Sequence, residues 1–275
     1  MPEAPILQAE RLTYSYDGHT PALRGVSLAV HAGERIAVLG CNGAGKSTFF
    51  LCLDGVLTPE SGTIRLHGQA IGRRDLPRLR SQVGVVFQNA DDQIIASSVQ
   101  AEVSFGPMNL RLPRDAVAQR VTRALEQMEL SDYRLRPPHD LSGGEKKRVS
   151  IADILAMESE IILFDEPCAS LDPAGAAMLE QVLARLADDG KTLLISTHDM
   201  DFAFRWASRI VVFADGQIIA DGAPEDVFRD RQTLARARLQ PPVLLTVADL
   251  LRARGLLPPD APTPRTPDGL EQLLG

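Results

Sequence analysis

"GCNGAGKST", Gly40 to Thr48, follows the apolar run "RIAVLG" and fits the pattern G-x-x-x-x-G-K-[ST]. A β-branched run ending in such a loop predicts a strand, a tight turn and then a helix. The glycines let backbone N–H groups turn inward as an anion nest, and the helix N-terminus adds its positive end. Gly40, Asn42, Gly43, Gly45, Lys46, Ser47 and Thr48 are thus candidate ATP-binding residues, with Lys46 reaching the β- and γ-phosphates and Ser47 ligating Mg²⁺. With Gly near 7% of residues, a chance match is on the order of one in a hundred before the strand is counted.

Moving outward, "VGVVFQ", "EIILFDE" and "TLLISTH" are further short apolar runs, each closed by a turn or leading into a helix. They predict buried strands of a mixed or parallel sheet, hence an α/β fold of the P-loop NTPase kind. "IILFDEP" ends in two acids: Asp165 can hold Mg²⁺ through water, and Glu166 can polarise an attacking water. Between strands, "RDAVAQRVTRALEQMEL" places Val117, Val121, Ala124, Leu125 and Met128 on one helical face, and "GAAMLEQVLARLADDG" ends at Gly190. "RIVVFADGQIIADG" predicts a hairpin turning at Asp215-Gly216. In "FQNADDQIIASSVQAEVSFGP", residues 87–107, F-G-P is expected to stop an amphipathic run.

Composition bounds the rest. The chain has 275 residues, 44% hydrophobic and 24% charged, which is ordinary globular usage. A net charge of -7 argues against a general nucleic-acid binder, which needs surplus Lys and Arg. Apolar runs are strand-sized, too short to span a bilayer, and "MPEAPILQAE" lacks the features of a secretory signal. Cys41, Cys52 and Cys168 contain no CxxC pair, so neither a disulfide framework nor a zinc site is expected. From Gln240 the chain is rich in Pro with two Leu-rich segments that predict small docking helices.

Several phosphate-loop families remain until "DLSGGEKKRVSIADILA" is read. Leu141-Ser142-Gly143-Gly144-Glu145 resembles the signature of ATP-binding cassette (ABC) ATPases and lies 23 residues before Asp165. Other family marks follow in order. Tyr16 resembles the aromatic that stacks on adenine, Gln88 the Q-loop glutamine sensing Mg²⁺ and water, Asp172 of "SLDPAG" the D-loop acid, and His198 of "STHD" the switch histidine. The resemblance implies a RecA-like core, an antiparallel β-subdomain, a helical signature subdomain at about 89–150 within an ATPase domain of residues 1–225, and a helical extension at 226–275. It implies Glu166, His198 and Gln88 as catalytic residues and Mg²⁺ held by Ser47, Gln88 and Asp165. It also implies that ATP is sandwiched between two chains, with Ser142, Gly143 and Gly144 acting in trans. A homodimer is favoured, and a heterodimer with a sister ATPase is compatible.

"VFQNADDQIIASSVQAEVSFGPMNL" further resembles the energy-coupling factor (ECF) branch of importers, departing from its usual pattern at Ala90 and at Ile94-Ile95. In that branch this segment receives a coupling helix of an integral membrane T component, which would engage Asp91 and Asp92. The tail "LQPPVLLTVADLLRARGLLPPDAPTPRTPDGLEQLLG" resembles the ECF tail that contributes to ATPase pairing. The implied function is an ATP-hydrolysing, peripheral subunit on the cytoplasmic face of the cell membrane. It would drive uptake of cobalt, nickel or a vitamin chosen by a substrate-binding membrane component.

The alternatives are an ATPase of another ABC branch, a non-transport ABC protein of repair or translation, and a small-molecule kinase. Only 96 residues separate Lys46 from Ser142, too few for a coiled-coil insertion, and a kinase has no use for the signature or His198.

Overall fold

Alternation and turn chemistry divide the chain into two sheets and a helical layer. The computed structural model describes residues 4–169 and 171–274; Ser170, the first residue of the expected D-loop, lies outside them. The chain begins with β1 (Leu7–Ser15), β2 (Pro21–Val30), β3 (Arg35–Leu39), α1 (Lys46–Leu53), β4 (Ser61–Leu66) and β5 (Gln69–Ala70). It continues through α2 (Leu76–Gln82), β6 (Val83–Val86), α3 (Val99–Asn109), α4 (Arg114–Gln127), α5 (Gly143–Met157), β7 (Ile161–Asp165) and α6 (Pro173–Asp188). Then come β8 (Thr192–Ser196), α7 (Met200–Trp206), β9 (Arg209–Ala214), β10 (Gln217–Gly222), α8 (Pro224–Arg229), α9 (Arg231–Ala237), α10 (Val243–Ala253) and α11 (Pro267–Leu274).

One sheet is antiparallel, in the order β2-β1-β4-β5; the other runs β10-β9-β3-β8-β7-β6. In the second, β6, β7, β8, β3 and β9 are mutually parallel, and β10 closes the edge antiparallel. β7 and β8 are buried at every position, as expected of strands covered on both faces. The β9–β10 turn has both central residues, Asp215 and Gly216, at positive φ, which matches the right-handed strand twist. α4 buries Val121, Ala124 and Leu125 as its periodicity predicts.

One expectation differs. F-G-P does not stop α3, which runs through Pro107 to Asn109. Pro107 removes one helical donor, but the Leu110 N–H still donates to the Gly106 carbonyl at 3.1 Å. Gly106 instead lets α3 pack on α5, because a Cβ there would lie 2.6 Å from Met157 Cγ. The expected division after residue 225 falls inside α8. Val227, Phe228, Leu234, Ala237 and Leu245 belong to the same core as Val212 of β9 and Phe204 of α7.

A second core fills the space between the sheets around Phe49 and Phe50 of α1. β1, which leads to Tyr16, is kept close to β4 by Gly62 at φ +93; a Cβ there would lie 2.5 Å from the Glu10 carbonyl oxygen. Gly62→Ala is expected to destabilise the fold by about 2–4 kcal/mol, measured by urea unfolding, because neither backbone can move aside.

Candidate nucleotide-binding site

β3 ends at Leu39, and the loop turns directly into α1, so the Gly40–Thr48 stretch sits where a strand passes into a helix N-terminus. Gly45, at φ +105, is wedged against β2: a Cβ would lie 2.7 Å from the Ala22 carbonyl oxygen. The buried Lys46 ammonium donates to the Gly40 carbonyl at 2.8 Å and the Cys41 carbonyl at 3.4 Å, and lies 3.9 Å from Glu166 Oε1. The Cys41 side chain is half-buried against the core between the sheets.

A cavity of about 330 Å³ is lined by Tyr16, Ala22, residues 42–48, Gln88 and Glu166. It thus gathers Tyr16, the phosphate loop, Gln88 and Glu166 from separate parts of the chain. Tyr16 is 65% exposed at the mouth, its hydroxyl 3.1 Å from Thr48 Oγ1 and its ring edge-on to Tyr14. The Gln88 side chain has no hydrogen bond among the described residues.

Glu166 follows β7 at a positive φ of 46°, an uncommon conformation for a side chain with a Cβ. His198 Nδ1 donates to Glu166 Oε2 at 2.7 Å, although the imidazole itself is largely exposed. Ser196, wholly buried on β8, connects the neighbouring groups: its hydroxyl donates to Asp165 Oδ1 and accepts from the Glu166 N–H. That leaves Asp165 Oδ2 without a hydrogen-bonding partner among the described residues. A free carboxylate oxygen, the Ser47 hydroxyl and the Gln88 amide are hard oxygen donors, and this set fits Mg²⁺.

The signature lies elsewhere. Ser142 caps α5 in a reciprocal box: its N–H donates to Glu145 Oε2 at 2.7 Å, and its Oγ accepts from the Glu145 N–H at 3.3 Å. The Ser142 N–H, as the leading cause, holds the Glu145 carboxyl below its usual range. Because Ser142 Oγ is used as an acceptor, its hydroxyl proton stays available to a phosphate. Ser142 and Gly144 line a separate cavity of about 730 Å³ together with Asp172, whose carboxylate caps α6 through the Gly175 N–H at 2.7 Å. This cavity shares no lining residue with the loop cavity.

Asp91 and Asp92 lie exposed in a single 3-10 turn capped by Asn89. Asp91 is already paired with Lys146 of α5 at 2.7 Å, whereas Asp92 has no ion pair among the described residues. Ile95, Phe105 and Met108 nearby in the chain are 73%, 51% and 64% exposed.

Residues missed in the sequence cluster where this segment meets α5. Lys147 is buried on α5, and burial pushes its ammonium down to about 8 against the opposing pull of Asp165, Cys168 and Glu166. Gln93 reaches Ser150 and Asp153, the latter raised to about 7 by burial, and Glu102 accepts from the Ile95 and Ala96 N–H groups. The available signal was a lysine in register with Ser150, Ile151 and Ile154 on the buried stripe of a helix.

Comparison with known proteins agrees with this geometry. The family model described as ABC transporter matches residues 23–169. The cobalt import ATP-binding protein CbiO of Rhodobacter capsulatus is 48% identical over 269 residues, covering 97% of this chain and 96% of that protein. The energy-coupling factor transporter ATP-binding protein EcfA2 of Methanospirillum hungatei is 44% identical over 264 residues, covering 95% of this chain; the chain spans 66% of that relative. The solved structure of CbiO1 from Clostridium perfringens, part of the ABC transporter complex CbiONQ, superposes with a TM-score of 0.73 at 37% identity, covering 91% of this chain and all of that one. Among the described residues no helix is long and apolar enough to cross a membrane. With the phosphate loop inside the matched span and the same cassette recurring in these relatives, the chain belongs to the ABC transporter family and is an ATP-hydrolysing, transport-coupled subunit.

Proposed function

We propose that this chain is the ATPase of an ECF-type import complex, working as a pair of copies against integral membrane partners. The ECF branch is supported by the relatives' names, and the observation that carries the pairing is the division of the nucleotide machinery into two cavities on one chain, one holding the loop and the other the signature. Two chains facing each other complete two sites. In each, Tyr16 stacks on adenine, the Gly40–Thr48 N–H groups and Lys46 cradle the phosphates, and Ser142, Gly143 and Gly144 of the second copy close over them. Glu166 takes the proton of the attacking water, His198 holds that carboxylate, Gln88 senses the site, and Asp172 crosses the pair interface. Mg²⁺, held by Ser47, Gln88 and Asp165, supplies charge neutralisation at the β- and γ-phosphates when bound.

The cargo is a transition-metal ion, cobalt or nickel, or a vitamin, selected by a membrane partner rather than by this chain. The cobalt import named for the Rhodobacter capsulatus relative supports the transition-metal reading. The 89–150 segment, as a helical subdomain, offers the exposed Asp92 to a coupling helix of the T component, with Asp91 available once Lys146 releases it. On this reading the protein works peripherally at the cytoplasmic face of the membrane, with no nucleic-acid partner. The 226–275 extension contributes to pairing.

Tagged protein pulled down from detergent-solubilised native membranes should recover a small set of integral membrane proteins and no periplasmic binding protein. Recovery of ribosomes, repair factors or a binding-protein importer would overturn the ECF reading. Asp91→Arg with Asp92→Arg is expected to abolish that recovery while leaving the unfolding midpoint nearly unchanged, because an exposed ion pair contributes about 0–1 kcal/mol. Undiminished recovery would remove these acids from the coupling surface.

A further inference from the structure

Gln88 sits between two fixed bodies, yet among the described residues its own side chain bonds to neither. Upstream, the chain leaves the central sheet at Val86; downstream, it enters the Ala90–Asp92 turn. Its position is therefore set through the backbone, and that backbone is gripped from α5. Lys147, only 1% exposed, donates from Nζ to the Phe87 carbonyl at 2.6 Å and to the Gln88 carbonyl at 3.0 Å. Gln93 adds a second grip. Its Oε1 accepts from the Phe87 N–H at 3.3 Å, and its Nε2 donates to the Ser150 carbonyl at 2.8 Å and to Asp153 Oδ2 at 3.1 Å.

The choice of lysine is informative. Burying an ammonium costs free energy that an apolar side chain of similar length does not cost. Filling the space under α5 therefore does not require a charge. Holding two adjacent carbonyls does, since hydrogen bonds from a charged donor are roughly twice as strong as neutral ones. Lys147 lies two residues beyond Glu145 of the signature, so any rotation of α5 is passed directly to the carbonyls on either side of the Phe87–Gln88 peptide.

We propose that Lys147 is a positioning residue for ATP hydrolysis: by pinning the Phe87 and Gln88 carbonyls to α5, it makes Gln88 and the signature turn as one body. The half-site offered to the second copy and the glutamine serving the chain's own nucleotide then engage together. The inference rests on the proposed role of Gln88 in the nucleotide site.

The test is a double-mutant cycle on the purified full chain, with kcat, KM for ATP and the unfolding midpoint measured for Lys147→Met, Gln88→Ala and the pair. Methionine keeps most of the stem and removes the donor. Lys147→Met is expected to lower kcat about tenfold or more, with KM for ATP unchanged within about twofold. In the Gln88→Ala background, Lys147→Met should cost nothing further, because its effect passes through Gln88. Parental kcat in Lys147→Met alongside an impaired Gln88→Ala overturns the inference and leaves the role of Gln88 standing. Additive losses, or a joint shift of kcat, KM and midpoint, also overturn it, as they mark a merely structural lysine. Parental turnover in Gln88→Ala removes the role of Gln88 and the inference with it. Should Lys147→Met fail to fold, Gln93→Leu enters the same cycle with the same expected non-additivity.

Discussion

Glu166→Gln is expected to retain ATP binding and to lose about 10²–10⁴-fold in turnover, the contribution of a positioned general base in the proposed mechanism. The substitution is nearly isosteric, and the amide oxygen can still accept from His198 Nδ1, which lies 2.7 Å from the carboxylate in the parent. Backbone support also remains, because the Glu166 N–H is held by Ser196 whichever side chain follows. What disappears is the ability to take a proton from water. ATP should then accumulate in the closed pair, visible as a doubling of mass on size exclusion with ATP and magnesium. Single-turnover release of phosphate at the parental rate would assign the base to another group.

Lys46→Ala and Ser142→Arg should each be inactive alone and active when mixed. Lys46 faces the loop cavity, and Ser142 lines the other cavity of the same chain. In a mixed pair, one site carries both lesions and the other carries none. Random pairing of equal amounts makes half the pairs mixed, so roughly a quarter of the parental activity returns. Co-expression with two tags, followed by sequential purification, isolates the mixed species. The loss of the Ser142 cap costs about 1 kcal/mol, which a domain of this size tolerates. Persistent inactivity in a well-folded mixed pair would mean that a different ATPase supplies the facing signature.

The phosphate loop was legible because its chemistry depends on glycines, one lysine and one hydroxyl at fixed local spacing. Asp165 and Glu166 were legible for the same reason, as acids ending an apolar strand. Lys147 and Gln93 were not, because each acts on backbone distant in the chain: 60 residues separate Lys147 from Phe87, and 57 separate Gln93 from Ser150. The F-G-P stop followed local propensity, and packing of α3 on α5 through Gly106 outweighed it. Pro-rich composition marked the tail as separate, but composition does not show that Leu245 is almost wholly buried. The pairing of Asp91 with Lys146 likewise depends on a fold-level meeting that no local pattern encodes.

That buried tail has a consequence for how the protein is made. Phe228 packs edge-on against Phe204 at 5.9 Å, the Val243 N–H donates to Asp201 at 2.7 Å, and Arg265 reaches the Ala207 carbonyl at 3.1 Å. All three anchors lie on or next to α7, the helix that starts two residues after His198. A chain emerging from the ribosome only as far as α7 therefore lacks the side chains from Val227 to Leu245 that close the core over that helix. Truncation before α8 is expected to leave apolar surface open near His198 rather than a trimmed but working enzyme, with faster cleavage in limited proteolysis as the readout. Segments that follow α7 in the chain thus set the footing of the helix beside His198.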